Sequence, residues 1–179
     1  MSNAATALIT VADFDRLTAG KKGRYELRHG EMVEMTFPKP RHNRAQRRLL
    51  HLLTRLAGEH YVVATELAFR PMPDHELWAA DVAVVAELRI AESEECDEYL
   101  NGSPEIVIEV LSPSNSADEM DDRRATCLAG GCQEFWVVNP RLRTVRIFDR
   151  EGVSREYKAD QLVPFSLTSQ SFPAAGIFS

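Results

Sequence analysis

Ala79-Ala80-Asp81-Val82-Ala83-Val84-Val85 and Pro104-Glu105-Ile106-Val107-Ile108-Glu109-Val110-Leu111 are two apolar runs that each carry an acid among Val and Ile residues. Both read as largely buried strands. Burying an ionised carboxylate costs several kcal/mol unless it is paired or bound to a metal. If the strands are neighbours, Asp81 and Glu109 are candidate ligands for a divalent cation. Magnesium suits such a pair, because it takes hard oxygen ligands and keeps several waters, so that one or two carboxylates suffice; Mn2+ is the natural substitute. Side chains alternate along a strand, so Glu105, Val107 and Glu109 share one face. The plainer reading of Asp81 alone is a strand-end carboxylate hydrogen-bonded to backbone.

Outward from these runs the pattern is mixed. Residues 10–18 predict a short helix capped by Thr10. Tyr25–Arg28 and Glu31–Phe37 predict a hairpin turning at His29-Gly30. From His42 to about Gly58 the period becomes helical, with Ala45, Leu49, Leu52, Leu53 and Leu56 forming a buried stripe. Residues 61–64 and 67–70 suggest strand. Residues 117–129 predict a helix stopped at Gly130-Gly131, with Asp118, Glu119, Asp121 and Asp122 complementing the dipole of its first turns. Residues 133–138 predict a strand, and 144–148 with 154–157 a closing hairpin. The fold class is mixed α/β, a sheet flanked by helices, expected as one domain over residues 1–179 with 1–9 a flexible or tag-derived tail.

The 179 residues are 44% hydrophobic and 27% charged, an ordinary globular composition. No apolar run approaches the roughly 18 residues of a membrane span, and no basic-then-apolar leader opens the chain, so a cytoplasmic protein with no membrane partner is expected. Cys96, Cys127 and Cys132 sit at no metal-binding spacing and read as free thiols. The net charge of −6 is unevenly spread: residues 1–70 carry +5, residues 71–122 carry −14 and residues 123–179 carry +3. An acidic middle between basic flanks fits a cation site beside phosphate-contacting surfaces. The cluster Glu92, Glu94, Glu95, Asp97 and Glu98 reads more simply as a solvated helix or loop. Arg41, Arg44, Arg48 and Arg55 fall roughly along one helix face, suited to phosphate contacts or simply to water. Trp78 and Trp136 read as core residues.

The tyrosine-glutamate-leucine strand, the basic helix opening with histidine, Asp81-Val82-Ala83-Val84-Val85, Glu109-Val110-Leu111-Ser112-Pro113-Ser114 and Glu134-Phe135-Trp136-Val137-Val138-Asn139-Pro140 resemble the Uma-type restriction endonuclease family of the PD-(D/E)XK nuclease superfamily. The resemblance spans roughly residues 10–150. It implies a restriction-endonuclease-like core, divalent-metal dependence and a DNA substrate. It also implies that Asp81 and Glu109 are the superfamily's acids, that Glu26 is an accessory acid, and that the Val110 carbonyl is a metal ligand. His42 matches a histidine common in the family, placed to position phosphate or water; as a residue near a helix start it is equally a cap. The superfamily's lysine belongs two residues after Glu109, where this chain has Leu111. In the Uma-type pattern it lies on the following helix, at a position that is Arg123 here. Arginine keeps the charge but neither shares a proton nor acts as a point charge.

Three functions follow: a metal-dependent DNA endonuclease using Asp81, Glu109, Arg123 and Glu26; a degenerate copy that binds nucleic acid or a partner protein without cutting; or an acidic structural domain, should the two carboxylates lie far apart. A homodimer would supply two sites for cutting both strands.

Overall fold

The computed structural model describes residues 8–113 and 115–179; residues 1–7 of the expected tail, and Ser114 of the Ser-Pro-Ser turn, lie outside the described residues. In chain order the elements are α1 (Val11–Thr18), β1 (Arg24–Arg28), β2 (Glu31–Met35), α2 (Pro40–Ala57), β3 (Tyr61–Arg70), β4 (Trp78–Ala86), α3 (Glu87–Cys96), β5 (Leu100–Asn101) and β6 (Ile106–Val110). There follow α4 (Ala117–Ala129), β7 (Glu134–Asn139), β8 (Thr144–Asp149), β9 (Ser154–Lys158), β10 (Leu162–Phe165), β11 (Gln170–Pro173) and α5 (Ala175–Phe178).

Seven strands form one mixed sheet in the order β5-β3-β4-β6-β7-β8-β9. The two acidic strands are therefore neighbours, β4 antiparallel to β6. β6 and β7 are parallel and joined through α4, as a parallel pair requires a crossover. One face of the sheet packs on α2, through Ala45, Leu49 and Leu53 against Val82, Val84, Ile106 and Ile108. The other face packs on α3 and α4, through Ile90, Cys127 and Leu128 against Ala83, Val85, Val107 and Phe135. The β1–β2 hairpin turns at His29 (φ 49°) and Gly30 (φ 74°), the two positive angles of a type I′ turn. It leans on the residue just before β4, with Leu27 and Leu77 exchanging backbone hydrogen bonds.

The structure departs from the sequence reading most in two regions. Residues 61–70 make one strand, not two pieces, and its register against β4 is continuous on both sides of Glu66, which stands at φ 57° where the ladder is interrupted. The side-chain alternation of β4 changes phase at the same step: Trp78 and Ala80 join the core beneath α4, whereas Val82 and Val84 join the core beneath α2. Beyond Tyr157 the chain adds the β10–β11 hairpin and α5, which close the α2 face with Val163, Phe165, Phe172 and Ile177. Pro164 obscures this strand in the sequence; a two-stranded hairpin tolerates it because a free edge is always at hand. The acidic 92–98 cluster lies on α3 and the turn after it and is largely exposed, as a solvated helix should be.

The end of α4 is fixed by a close approach. The Gly130 carbonyl accepts the Ser103 N–H at 2.8 Å, and a Cβ on Gly130 would fall 2.4 Å from the Pro71 carbonyl oxygen. Because backbone must shift to make room, Gly130→Ala is expected to destabilise the fold by about 1–3 kcal/mol, read as a lower urea midpoint.

Candidate active site

β4 and β6 pair only as far as Val82 and Ile108. One step further the strands part, and the Asp81 side chain takes the place of the missing ladder bond: its Oδ2 accepts the Val110 N–H at 2.7 Å. The same oxygen meets Nε2 of His42 on α2 at 2.9 Å. Gln46, one helical turn after His42, donates to the Asp81 carbonyl at 2.6 Å and to Glu66 Oε1 at 2.7 Å. Glu66 is in turn ion-paired to Arg24. Asp81 is thus held from β6, from α2 and, through Gln46, from the kink in β3.

Glu109 points to the α4 side. Its Oε1 accepts from Arg123 Nε at 2.8 Å. The Arg123 guanidinium then reaches Glu26 through both terminal nitrogens, at 2.9 and 3.2 Å, and gives a further bond to the Ala79 carbonyl at 2.6 Å. It lies 5.0 Å over the Trp78 ring. Glu26 also accepts the Ala79 N–H at 2.9 Å and Arg28 Nε at 2.7 Å. Arg28 continues to Glu119 at 2.6 Å, and His29 meets Asp122 at 2.9 Å, so two of the acids opening α4 pin it to the hairpin as well as complement its dipole.

Electrostatics follow from this packing. Burial pushes the Glu109 carboxyl up to about 8, with the nearby Asp81 and Glu26 charges adding to the rise and Arg123 opposing it. Burial alone would raise Glu26 too, but Arg123, Arg28 and the Ala79 N–H hold it below the usual carboxylate range. Burial would lower Arg123, and the two glutamates outweigh it, so the guanidinium stays charged.

Glu26, His42, Asp81, Glu109, Val110 and Arg123 all line one pocket of about 400 Å3. The third sequence reading, with the carboxylates far apart, does not hold. Among the described residues, Asp81 Oδ1 and Glu109 Oε2 accept no hydrogen bond. No cluster of three or more His, Cys, Asp or Glu at metal-holding spacing occurs among the described residues. Two uncommitted hard oxygens with room for water fit a magnesium-like cation, which needs few protein ligands. Glu26 faces the same pocket with both oxygens committed to Arg123, Arg28 and Ala79. Glu105, on the face of Glu109, lies elsewhere, bound to Arg89 and the Ala86 N–H at 2.9 Å each.

Arg41, Arg44 and Arg48 line a separate groove of about 280 Å3 with Pro140 and Ile177. Arg41 also borders a cavity of about 500 Å3 with Lys39, His42 and Arg141, which shares Arg41 and Pro140 with that groove and Lys39 and His42 with the pocket. The sequence reading passed over Gln46, Glu66, Arg28 and Lys39. Gln46 had a usable signal, a polar residue on the buried stripe between Ala45 and Leu49.

The central strands β4 and β6 of this mixed sheet part and present two acids to one pocket. Residues 11–175 match the Uma2 family model, described as "Putative restriction endonuclease", and the chain belongs to that family. The match runs past the resemblance expected over 10–150 and takes in the C-terminal hairpin. Among solved structures, a protein of Anabaena variabilis described as a "putative nuclease belonging to DUF820" shares the fold, with a TM-score of 0.80 and 23% identity over 95% of this chain and 97% of that one. Among curated proteins, none matches. No helix of the described residues is long and apolar enough to cross a membrane.

Removing Arg123 leaves two buried glutamates facing each other, so Arg123→Met is expected to cost about 3–5 kcal/mol in urea unfolding. The sign of the Glu109 effect is also fixed. Its raised value favours the neutral form in the fold, a contribution full below the ordinary 4.5 and lost as pH rises through about 8. Stability of the wild type relative to Glu109→Gln should therefore fall across that interval, measured by unfolding at a series of pH values.

Proposed function

We propose that this protein is a divalent-metal-dependent endonuclease that hydrolyses DNA phosphodiester bonds, with Mg2+ or Mn2+ as its cation. One observation carries the reading: Asp81 and Glu109, on strands that separate at that step, each turn one uncommitted oxygen into the same pocket. The Val110 carbonyl is the third oxygen assigned to the cation. When bound, such a cation supplies charge stabilisation at the phosphoryl group and acidifies a water.

The protein's own groups provide the positioning. The Val110 N–H and His42 fix the rotamer of Asp81, while Arg123 fixes one oxygen of Glu109 and leaves the other for the cation. Glu26 acts by holding Arg123 and Arg28 and not as a ligand, since both its oxygens already accept strong hydrogen bonds. The Arg41, Arg44 and Arg48 groove, reached through the cavity at Lys39 and Arg141, takes the phosphate backbone away from the cleavage point.

Nicking of supercoiled plasmid is expected with Mg2+ or Mn2+ and to be lost with chelator and with Asp81→Ala. Duplex binding with no nicking by the wild type would replace this reading with that of a nuclease-fold binding module, for which the exchange of lysine for Arg123 speaks. Each of Arg41→Gln, Arg44→Gln and Arg48→Gln should lower duplex affinity and reduce the slope of log K against log salt by about 1.

A further inference from the structure

Phosphoryl transfer needs a positive group free to meet the charge that gathers on the non-bridging oxygens. Arg123 stands where the resemblance places the family's lysine, but four of its five N–H donors already serve Glu109, Glu26 and Ala79, and its side chain is only 4% exposed. It braces the pocket wall and has almost nothing to offer a substrate. The other cations lining the pocket are Arg24, Arg28 and Lys39. Arg24 is paired with Glu66, and Arg28 with Glu26 and Glu119. Among the described residues lining this pocket, Lys39 is the one cation with no ion pair or side-chain hydrogen bond.

Its placement suits the task. Lys39 is the residue before α2, held extended at φ −80° and ψ 160°, and its side chain makes no capping bond. It lines both the pocket of Asp81 and Glu109 and the adjoining cavity that leads to Arg41 and Arg141. It therefore stands where a phosphate backbone would pass from the basic groove to the two acids. Pro38 before it and Pro40 after it restrict the backbone on both sides. The flexible stem and compact ammonium can then follow a phosphate without disturbing the fold.

We infer that Lys39 supplies the free positive charge of this site, its ammonium donating hydrogen bonds to a non-bridging oxygen of the scissile phosphate, while Arg123 is a positioning residue. Lys39 transfers no proton in this role and stays charged throughout: the water oxygen bonds to phosphorus as the P–O bond to the leaving oxygen breaks, one water proton ends on that leaving oxygen and the other stays on the new phosphate or passes to solvent. The inference rests on the endonuclease reading above, and its test separates the two.

The chain has four lysines, Lys21, Lys22, Lys39 and Lys158. In plasmid nicking with Mn2+, Lys39→Met is expected to cut about 100- to 1,000-fold more slowly than wild type. Lys39→Arg should recover part of that loss, and Lys158→Met should cut at the wild-type rate. Independently of activity, a short DNA duplex without divalent cation should protect Lys39 from acylation by N-hydroxysuccinimidyl acetate, read by mass spectrometry, and leave Lys158 as reactive as before. Equal rates for wild type and Lys39→Met, with Asp81→Ala silent, would overturn the role of Lys39 and leave the endonuclease standing. A slow Lys39→Met whose Lys39 is not protected in the wild type would also overturn it. If the wild type cuts nothing, the endonuclease reading fails on its own, and protection then decides for or against Lys39 as a phosphate contact.

Discussion

The Arg123 guanidinium is shared between two carboxylates that are distant in sequence, Glu26 on β1 and Glu109 on β6, and it is carried by a third element, α4. All three side chains are nearly excluded from water. A charge so buried is tolerable only when its partners are in place, so hairpin, sheet and helix must assemble together. The fork geometry of arginine matters here. Nε serves one glutamate and the terminal nitrogens the other, an arrangement that a lysine ammonium does not reproduce. The smaller contacts of Arg28 with Glu119 and of His29 with Asp122 repeat the same joint at the surface, where each is worth less.

The second constraint is the parting of β4 and β6. A sheet that loses its ladder between two central strands leaves polar backbone unpaired, which is costly unless something replaces it. Asp81 replaces it by accepting the Val110 N–H, and Gln46 satisfies the Asp81 carbonyl from the other side. Glu66 adopts a left-handed conformation directly across from Asp81, and the side chains of β4 change face there. Backbone irregularity of this kind persists when surrounding contacts over-determine it, and it tends to sit at functional sites. The same parting of the strands thus also fixes the rotamer of Asp81.

The sheet and the pair Asp81 and Glu109 were legible because their signals are local: an acid in a Val/Ile run is conspicuous whatever its neighbours. The amphipathic stripe of α2 was legible for the same reason. The role of Glu26 was not, since nothing in Tyr25-Glu26-Leu27-Arg28 says that its partner lies 97 residues away on α4. Glu66 was hidden because no residue type announces a kink, and it split one strand into two apparent pieces. The C-terminal hairpin was hidden by Pro164 and by strands of only four residues. Arg123 was found through resemblance, and its position gave no sign that its donors would be consumed.

That last point bears on how one chain meets two demands with cations. The core needs a charge that stays put, satisfies two acids at once and tolerates burial; the reaction needs one that is mobile, unshared and close to water. A buried arginine committed to both glutamates meets the first demand and by that commitment fails the second. An exposed lysine at the start of α2, unpaired among the described residues in a pocket whose other cations are paired, has the opposite properties. An arginine where the resemblance places the family's lysine is therefore compatible with a working site, provided the two roles lie on two residues. In the proposed division of labour Arg123 holds the joint between α4, the hairpin and β6, and Lys39 meets phosphate at the rim of the pocket.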